Sequence, residues 1–211
     1  MSALREPDWL TVEDFWALVG DGEKADLLDG VIHLAPPESP WINLAANWLQ
    51  FLVAGYVCDR RLGIVFTGRV AFVLNEFCAP EPDIAFVAAA RMDAVAADRV
   101  CGAPDVAIEI VSRDSRARDY EDKYRLYEEA GVREYWLIDP IENRAHFLRL
   151  AESGFRPVEL REGRLFESEA LPGFWLDTGW LTSEERPDEY ECLQRILAGG
   201  PEEMKREATD A

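Results

Sequence analysis

The chain has only two histidines, His33 and His146, and its four cysteines stand far apart without a Cys-x-x-Cys pair. So few histidines disfavour a histidine-rich metal site and a Ser-His-Asp triad. Cysteines spaced in this way disfavour a zinc site, and in a reducing compartment we expect them to be free thiols. The chemistry of the protein is therefore expected to rest on carboxylates and cations.

Long apolar runs and glycine-rich phosphate loops are also missing. No run approaches the roughly 20 apolar residues that cross a bilayer, and residues 1–6 have no apolar signal-peptide segment. No phosphate-binding loop of the Walker or Rossmann type is present. These absences predict a cytoplasmic protein with no membrane association and no nucleotide cofactor.

Positive charge is scarce. The 211 residues include 22 Lys and Arg against 41 Asp and Glu, which gives a net charge of −19. A chain this acidic repels DNA at long range, whereas nucleic-acid binders are usually basic where they meet phosphate. The excess is uneven, because the stretch 184–211 has nine acidic and four basic residues, while 112–133 has six of each. The overall field opposes DNA, and the local field at 112–133 is nearly neutral.

The apolar patterns predict an α/β protein in one domain, residues 1–199, with a flexible acidic tail at 200–211. A capped helix at 11–19 and a hairpin around Asp29-Gly30 come first. A helix at 41–57 follows, with Leu44 on its apolar face. The later elements are strands at 62–74, 83–87 and 104–111, a helix at 117–130, a strand at 133–139, a meander at 145–150, 155–160 and 164–166, and a helix at 182–197.

Asp83 and Glu109 are the candidates for chemistry, because each lies in an otherwise apolar strand pattern. A buried carboxylate costs free energy unless a positive charge meets it. If the two strands are neighbours, carboxylates ~4 Å apart repel by roughly 4 kcal/mol at an effective dielectric of ~20. Mg²⁺ or Mn²⁺ would relieve that repulsion, since hard cations prefer oxygen ligands. The carbonyl of Ile110 would add a further oxygen.

Each candidate also has a simpler interpretation. Asp83 is either a metal ligand or the cap of a turn, and Glu109 is either a ligand or the partner of an arginine. Lys123, in the helix after the Glu109 strand, either acts on a metal-bound water or lies on an exposed helix face beside Asp119. In the second case its removal costs at most about 1 kcal/mol. Asp26, in the hairpin, is either a third carboxylate of the site or an exposed charge.

These segments resemble the Uma-two family, restriction endonucleases of the PD-(D/E)XK nuclease superfamily. The resemblance runs from about Thr11 to Leu181. It implies a restriction-endonuclease-like fold, with a core of helix, three strands, helix and strand, and Mg²⁺-dependent cleavage of DNA. The residues that carry it are Pro82-Asp83-Ile84, Glu109-Ile110-Val111-Ser112, Asp119 with Lys123 and Tyr127, and the run from Gly131 to Pro140.

The chain departs from the pattern of this family at three places. In the superfamily the lysine stands two residues after the glutamate, where this chain has Val111, so the resemblance places the lysine role on Lys123. The first hairpin usually reads Tyr-Glu-Leu, where this chain has Ala25-Asp26-Leu27. The next helix usually begins with a histidine, and Trp41 stands near that position. The set Asp83, Glu109 and Lys123 is complete.

The leading hypothesis is an endonuclease in which Asp83, Glu109 and Ile110 hold Mg²⁺ or Mn²⁺. Lys123 would position the attacking water, and Asp26 would assist. DNA phosphates are predicted to contact the arginines on the turn beside the site, namely Arg113, Arg116 and Arg118. A homodimer is expected from the need to cut two strands.

Two alternatives stay open for this chain. One is an interaction module of nuclease fold with little or no activity, which the acidic surface and Trp41 favour. The other is a metal-dependent hydrolase of small phosphoesters, which tolerates an acidic surface better than a DNA-binding enzyme does.

Overall fold

The computed structural model describes residues 9–20, 22–182 and 186–199. This part of the chain begins with a helix and a hairpin. Helix α1 (Val12–Leu18) starts at a capping box in which Thr11 and Asp14 bond to each other's main-chain N–H. Strands β1 (Ala25–Leu28) and β2 (Val31–Leu34) pair antiparallel. Their turn residues Asp29 and Gly30 both have positive φ, 47° and 73°, as a tight hairpin of this type requires.

Helix α2 (Pro40–Arg60) is the long helix that covers one face of the sheet. Ser39 caps its first turn and proline occupies the first helical position, where a missing N–H costs nothing. Its apolar face packs on the main core of the protein. The helix extends further at both ends than predicted, and Leu44 is exposed rather than part of the apolar face.

Eight short strands follow in the chain. They are β3 (Gly63–Thr67), β4 (Phe72–Val73), β5 (Ile84–Ala88), β6 (Val100–Cys101), β7 (Val106–Ile110), β8 (Glu134–Asp139), β9 (Arg144–Ala151) and β10 (Gly154–Pro157). Six of them form one sheet in the order β10-β9-β8-β7-β5-β3, while β4 and β6 pair separately. Only β7 and β8 run parallel within the large sheet.

The parallel pair β7 and β8 forms the buried centre of the molecule. Every residue of both strands is buried, as expected for strands covered on two faces. Their crossover contains a π-type turn (Arg118–Asp122) and helix α3 (Lys123–Ala130). Gly131 ends the helix with φ 81°, the left-handed conformation that glycine adopts most readily. The predicted order of helix, three strands, helix and strand is confirmed for the large sheet, whereas the predicted strand at 62–74 is divided into β3 and β4, which belong to different sheets.

The C-terminal part differs from the prediction. Strand β11 (Leu165–Glu167) does not extend the meander but pairs with β12 (Trp175–Asp177). The buried carboxylate of Glu134 explains this, because it accepts hydrogen bonds from Ser168 Oγ at 2.6 Å and from the Glu169 N–H at 2.7 Å. Those bonds hold the segment after β11 against the core.

The last helical region is also divided, and the predicted single helix from Thr182 is wrong. Helix α4 (Thr178–Thr182) precedes helix α5 (Glu189–Leu197), which begins at its N-cap Asp188. Pro187 separates them, and its carbonyl accepts a hydrogen bond from Trp48 Nε1 at 2.8 Å. The predicted tail at 200–211 lies outside the described residues.

The four cysteines are free thiols, as predicted. Within the part of the chain that the structure covers, no helix is long and apolar enough to cross a membrane.

Candidate active site

Asp83, the residue directly before strand β5, lies close to Glu109 on the neighbouring strand β7. The register of β5 and β7 pairs Ile84 with Ile108, so the next position along each strand sets Asp83 across from Glu109. Opposite residues of an antiparallel pair point to one face with Cβ atoms about 4.5–5.5 Å apart. The Ile110 N–H donates to Asp83 Oδ2 at 2.7 Å. The prediction that the two strands are neighbours is confirmed.

Helix α3 brings Lys123 and Tyr127 onto Glu109, because residues four apart share a helix face. Lys123 Nζ donates to Glu109 Oε1 at 2.9 Å, and the Tyr127 hydroxyl donates to the same oxygen at 2.9 Å. The Lys123 side chain is 2 % exposed. The alternatives of an exposed lysine beside Asp119, and of an arginine partner for Glu109, are therefore wrong.

The hairpin brings Asp26 to Glu109, Lys123 and Tyr127, and these four buried residues form one cluster with Asp83. Asp26 Oδ1 accepts a hydrogen bond from the Glu81 N–H at 2.8 Å and lies 3.1 Å from Lys123 Nζ. Its Oδ2 lies 3.2 Å from Arg118 Nε. Asp26 is buried, so the alternative of an exposed hairpin charge is wrong. Asp26 is instead the second carboxylate partner of Lys123.

Lys24 also belongs to the cluster, although no motif in the sequence singled it out. Its ammonium contacts Asp83 Oδ1 directly, and Glu38 Oε1 lies 3.9 Å from it. Burial is the largest effect on the pKa of Lys24 and would lower it, but the charges of Asp83 and Glu109 and the hydrogen bond to Asp83 together raise it. Lys24 precedes Asp26 by two positions, a spacing that sets both side chains on one face of an extended chain. That spacing is the signal that could have identified it.

The negative charge of the cluster is only partly offset. Burial raises the pKa of Glu109 to about 8, against the lowering effect of Lys123. Burial also raises the pKa of Asp119 to about 6, and Asp119 Oδ1 is buried without a hydrogen-bond partner among the described residues. For Lys123 burial alone would lower the pKa, but the carboxylates of Asp26 and Glu109 outweigh it and raise the pKa. The buried acids Glu109 and Asp119 therefore hold their protons more tightly than free acids do, and a cation bound beside them would favour their ionised forms.

The cluster opens into a cleft of about 470 Å³. Lys24, Asp26, Asp83, Glu109, Asp119 and Lys123 all line it. Apolar side chains form another part of the lining, including Trp41 and Ile141. Trp41 is 73 % exposed, so a flat ring surface is open to a ligand at the cleft.

The three predicted DNA-binding arginines have different surroundings. Arg113 is exposed on the cleft lining, and no ion pair joins it to another residue within the described ranges. Arg116 Nη1 lies 2.8 Å from the buried carboxylate of Asp139, and Arg118 lies against Asp26. The role of all three in DNA binding stays a prediction, but two of them already neutralise acids of the protein itself.

The donor set fits a hard divalent cation that uses few protein ligands. Asp83 and Glu109 present carboxylates across one strand pair, and the main chain of Ile110 lies beside them. In the described part of the chain, no group of three or more His, Cys, Asp or Glu side chains is arranged to hold a metal ion. Mg²⁺ typically keeps several waters and binds through one or two carboxylates and substrate phosphates. The assignment of Asp83, Glu109 and Ile110 as ligands stays a prediction.

Comparison with known proteins places the chain in a family. The family model described as "Putative restriction endonuclease" matches residues 12–179. The chain belongs to the Uma2 family. The Uma2 match contains every residue of the cluster, from Lys24 on the hairpin to Tyr127 on α3. Enzymes of the restriction-endonuclease-like family generally use divalent metals.

The fold is shared with a protein of known structure. The crystal structure of a "putative nuclease belonging to DUF820" from Anabaena variabilis has a TM-score of 0.66 to this chain at 18 % identity. The match covers 82 % of this chain and 97 % of that one. At this identity the likeness shows the fold alone, and it confirms the restriction-endonuclease-like fold of this Uma2 protein. No curated protein matches the chain.

The raised pKa of Glu109 predicts how stability depends on pH. The native carboxyl keeps its proton up to about pH 8, whereas the unfolded one releases it near 4.5. The native state therefore binds more protons between these values, and the free energy of unfolding falls as pH rises from 5 to 8. Glu109→Gln should reduce that fall by on the order of 2 kcal/mol.

Urea unfolding at pH 5, 6.5 and 8 in the presence of a chelator measures the effect. Glu129→Gln is the matched control, because Glu129 is an exposed acid on helix α3. An identical pH dependence in wild type and Glu109→Gln would show that Glu109 is ionised throughout this range.

The burial of Lys123 predicts a large stability effect. Lys123→Met leaves the Asp26 carboxylate buried without its cation and the Glu109 carboxyl without its donor, so the free energy of unfolding should fall by about 3–5 kcal/mol. Arg125→Met removes an exposed cation that contacts Asp29 and Glu129, and should cost at most about 1 kcal/mol. Chemical denaturation of both variants at pH 7 tests this, and equal losses would contradict it.

Proposed function

We propose that this Uma2-family protein is a divalent-metal-dependent endonuclease that hydrolyses phosphodiester bonds of DNA. The observation that carries the proposal is that Asp83, directly before β5, and Glu109, on the neighbouring strand β7, line one open cleft, with the buried Lys123 ammonium on Glu109. The descriptions of the family and of the structural neighbour support the same class of enzyme.

Each residue of the site has its own role in the proposed reaction. Asp83, Glu109 and the Ile110 carbonyl would hold Mg²⁺ or Mn²⁺, which supplies a more acidic bound water and an electrophile for the phosphate. Lys123, whose Nζ lies 2.9 Å from Glu109 Oε1, lowers the pKa of Glu109 against the effect of burial and so favours its ionised, metal-binding form. An ammonium has three N–H donors, and the contacts with Glu109 and Asp26 use two of them. The remaining donor would orient the attacking water or bind a phosphate oxygen. Asp26 holds Lys123 in place from the opposite side.

A second candidate is a metal-dependent hydrolase of small phosphoesters. It is favoured by the pairing of Arg116 and Arg118 with acids of the protein, because this leaves the cleft few cations for a polymeric phosphate backbone. Binding of duplex DNA, as tested below, separates the two candidates. A homodimer remains the arrangement we expect for cutting both strands.

The cleavage reaction provides the first test of the proposal. With Mn²⁺, wild type should nick supercoiled plasmid, and Glu109→Gln should lower the rate by about 100-fold or more. The reason is that residues which only support a metal ligand already contribute about 10–100-fold. The charge-matched control Glu129→Gln should cleave like wild type.

Calorimetry with Mn²⁺ accompanies the cleavage assay. Wild type should bind Mn²⁺ weakly, and Asp83→Asn and Glu109→Gln should each abolish the binding. Metal binding that both variants retain would contradict the assigned ligands. Cleavage by Glu109→Gln at the wild-type rate would contradict the proposed active site.

Salt dependence tests DNA as the substrate. Few phosphate contacts predict a shallow log–log slope of about −2 to −4 for duplex binding, at roughly 0.9 per contact. Arg113→Gln should make the slope shallower by about 0.9, because Arg113 is the predicted arginine without an internal acid partner in the described structure. Fluorescence anisotropy of a labelled duplex in Ca²⁺ across a salt series measures this. Absence of DNA binding at low salt would favour the small-phosphoester candidate.

A further inference from the structure

The two opposed carboxylates each have a lysine of their own, and the two lysines differ in access. Lys123 is sealed between Glu109 and Asp26, with 2 % of its side chain exposed. Lys24 touches Asp83 from the cleft side, with 21 % of its side chain exposed. Only the second ammonium can leave its carboxylate without exposing the core of the cluster.

We propose that Lys24 is an exchangeable cation of the active site. It neutralises Asp83 until a divalent metal ion takes the same carboxylate, and the released ammonium then binds a phosphate oxygen of the DNA. This inference rests on the proposed function and adds to it a residue that competes with the metal and contacts the substrate.

Competition follows from the position of the ammonium. Lys24 Nζ lies directly on Asp83 Oδ1, and Asp83 Oδ2 is taken by the Ile110 N–H. Both carboxylate oxygens therefore have a partner, and a metal ion that binds Asp83 through Oδ1 must displace the ammonium. Glu38 Oε1 lies 3.9 Å from Lys24 Nζ, so a displaced ammonium has a second acid within reach.

The surroundings of Lys24 indicate an anionic ligand for the released ammonium. Lys24 and Asp83 lie where the site cleft meets a second cleft of about 920 Å³. The lining of this second cleft offers the donors Gln50, Thr67 and Arg69, beside the acids Glu23 and Glu38. Phosphate oxygens are bound by such side chains without reading sequence. A DNA strand that enters the site through this cleft would pass Lys24 immediately before it reaches Asp83 and Glu109.

The first measurement is metal affinity, followed by the EPR signal of free Mn²⁺ with no DNA present. Lys24→Met should bind Mn²⁺ about tenfold more tightly than wild type, because a tethered competitor and a like charge are both removed. Lys24→Arg keeps the charge and should stay near wild type. Arg125→Met removes an equal charge outside the cleft and should change affinity by less than about twofold, since exposed charges are screened.

The second measurement is DNA affinity at saturating Ca²⁺, by anisotropy of a labelled duplex. Lys24→Met should bind DNA about threefold to tenfold more weakly and with a shallower salt slope, because one phosphate contact is lost. The two affinities should thus move in opposite directions in one variant. A lysine with a purely structural role would weaken both, and a general charge effect would appear equally in Arg125→Met.

The outcomes separate this inference from the proposed function. Mn²⁺ affinity that is unchanged or weaker in folded Lys24→Met overturns the inference, while loss of binding in Asp83→Asn would leave the proposed metal site standing. If neither wild type nor Lys24→Met binds Mn²⁺, both proposals fail. Circular dichroism melting confirms folding, and if Lys24→Met does not fold, Lys24→Gln takes its place with the same expected results.

Discussion

The Lys123 ammonium between Glu109 and Asp26 is the interaction on which the site and its packing depend. It joins the centre of the sheet, the crossover helix and the N-terminal hairpin at one buried point. Two carboxylates at this depth are stable only with a cation and hydrogen bonds, since an unpaired buried charge costs several kcal/mol. Tyr127 and the Glu81 N–H supply those bonds. The hairpin is therefore held in place by the chemistry of the site as well as by apolar contacts.

Other cations near the cleft of this acidic protein are also paired with acids of the chain itself. With a net charge of −19, most positive side chains near the cleft face an acid of the chain itself, as Arg116 does with Asp139. Such pairs cancel the local field, so little positive potential remains to attract a polyanion from a distance. A nuclease of this composition would depend on short-range contacts made after metal binding, and the exchange proposed for Lys24 would provide one of them.

Much of the fold could be predicted because its signals are local. The capping box at Thr11, the Asp29-Gly30 turn and the Gly131 cap depend on neighbouring residues alone, and the apolar runs of β7 and β8 identify buried strands wherever they occur. The site residues Asp83 and Glu109 were visible for a related reason: a carboxylate in an apolar strand has no ordinary explanation. The C-terminal part was predicted less well, because Ser168 donates a hydrogen bond to Glu134, which lies 34 residues earlier in the chain. No local pattern encodes such a contact.

By itself, the sequence determined which residue types carry the chemistry and which segments become helices and strands, since both follow from side-chain chemistry and from periodicity along the chain. Only the tertiary structure decided which charges meet. It buried Asp26 against Lys123, brought Lys24 onto Asp83 and paired Arg118 with Asp26 instead of leaving it to a ligand. The physical reason is that an ion pair depends on separations of a few ångströms in space, and residues 59 or 97 positions apart reach such separations only through the register of strands and the packing of a helix.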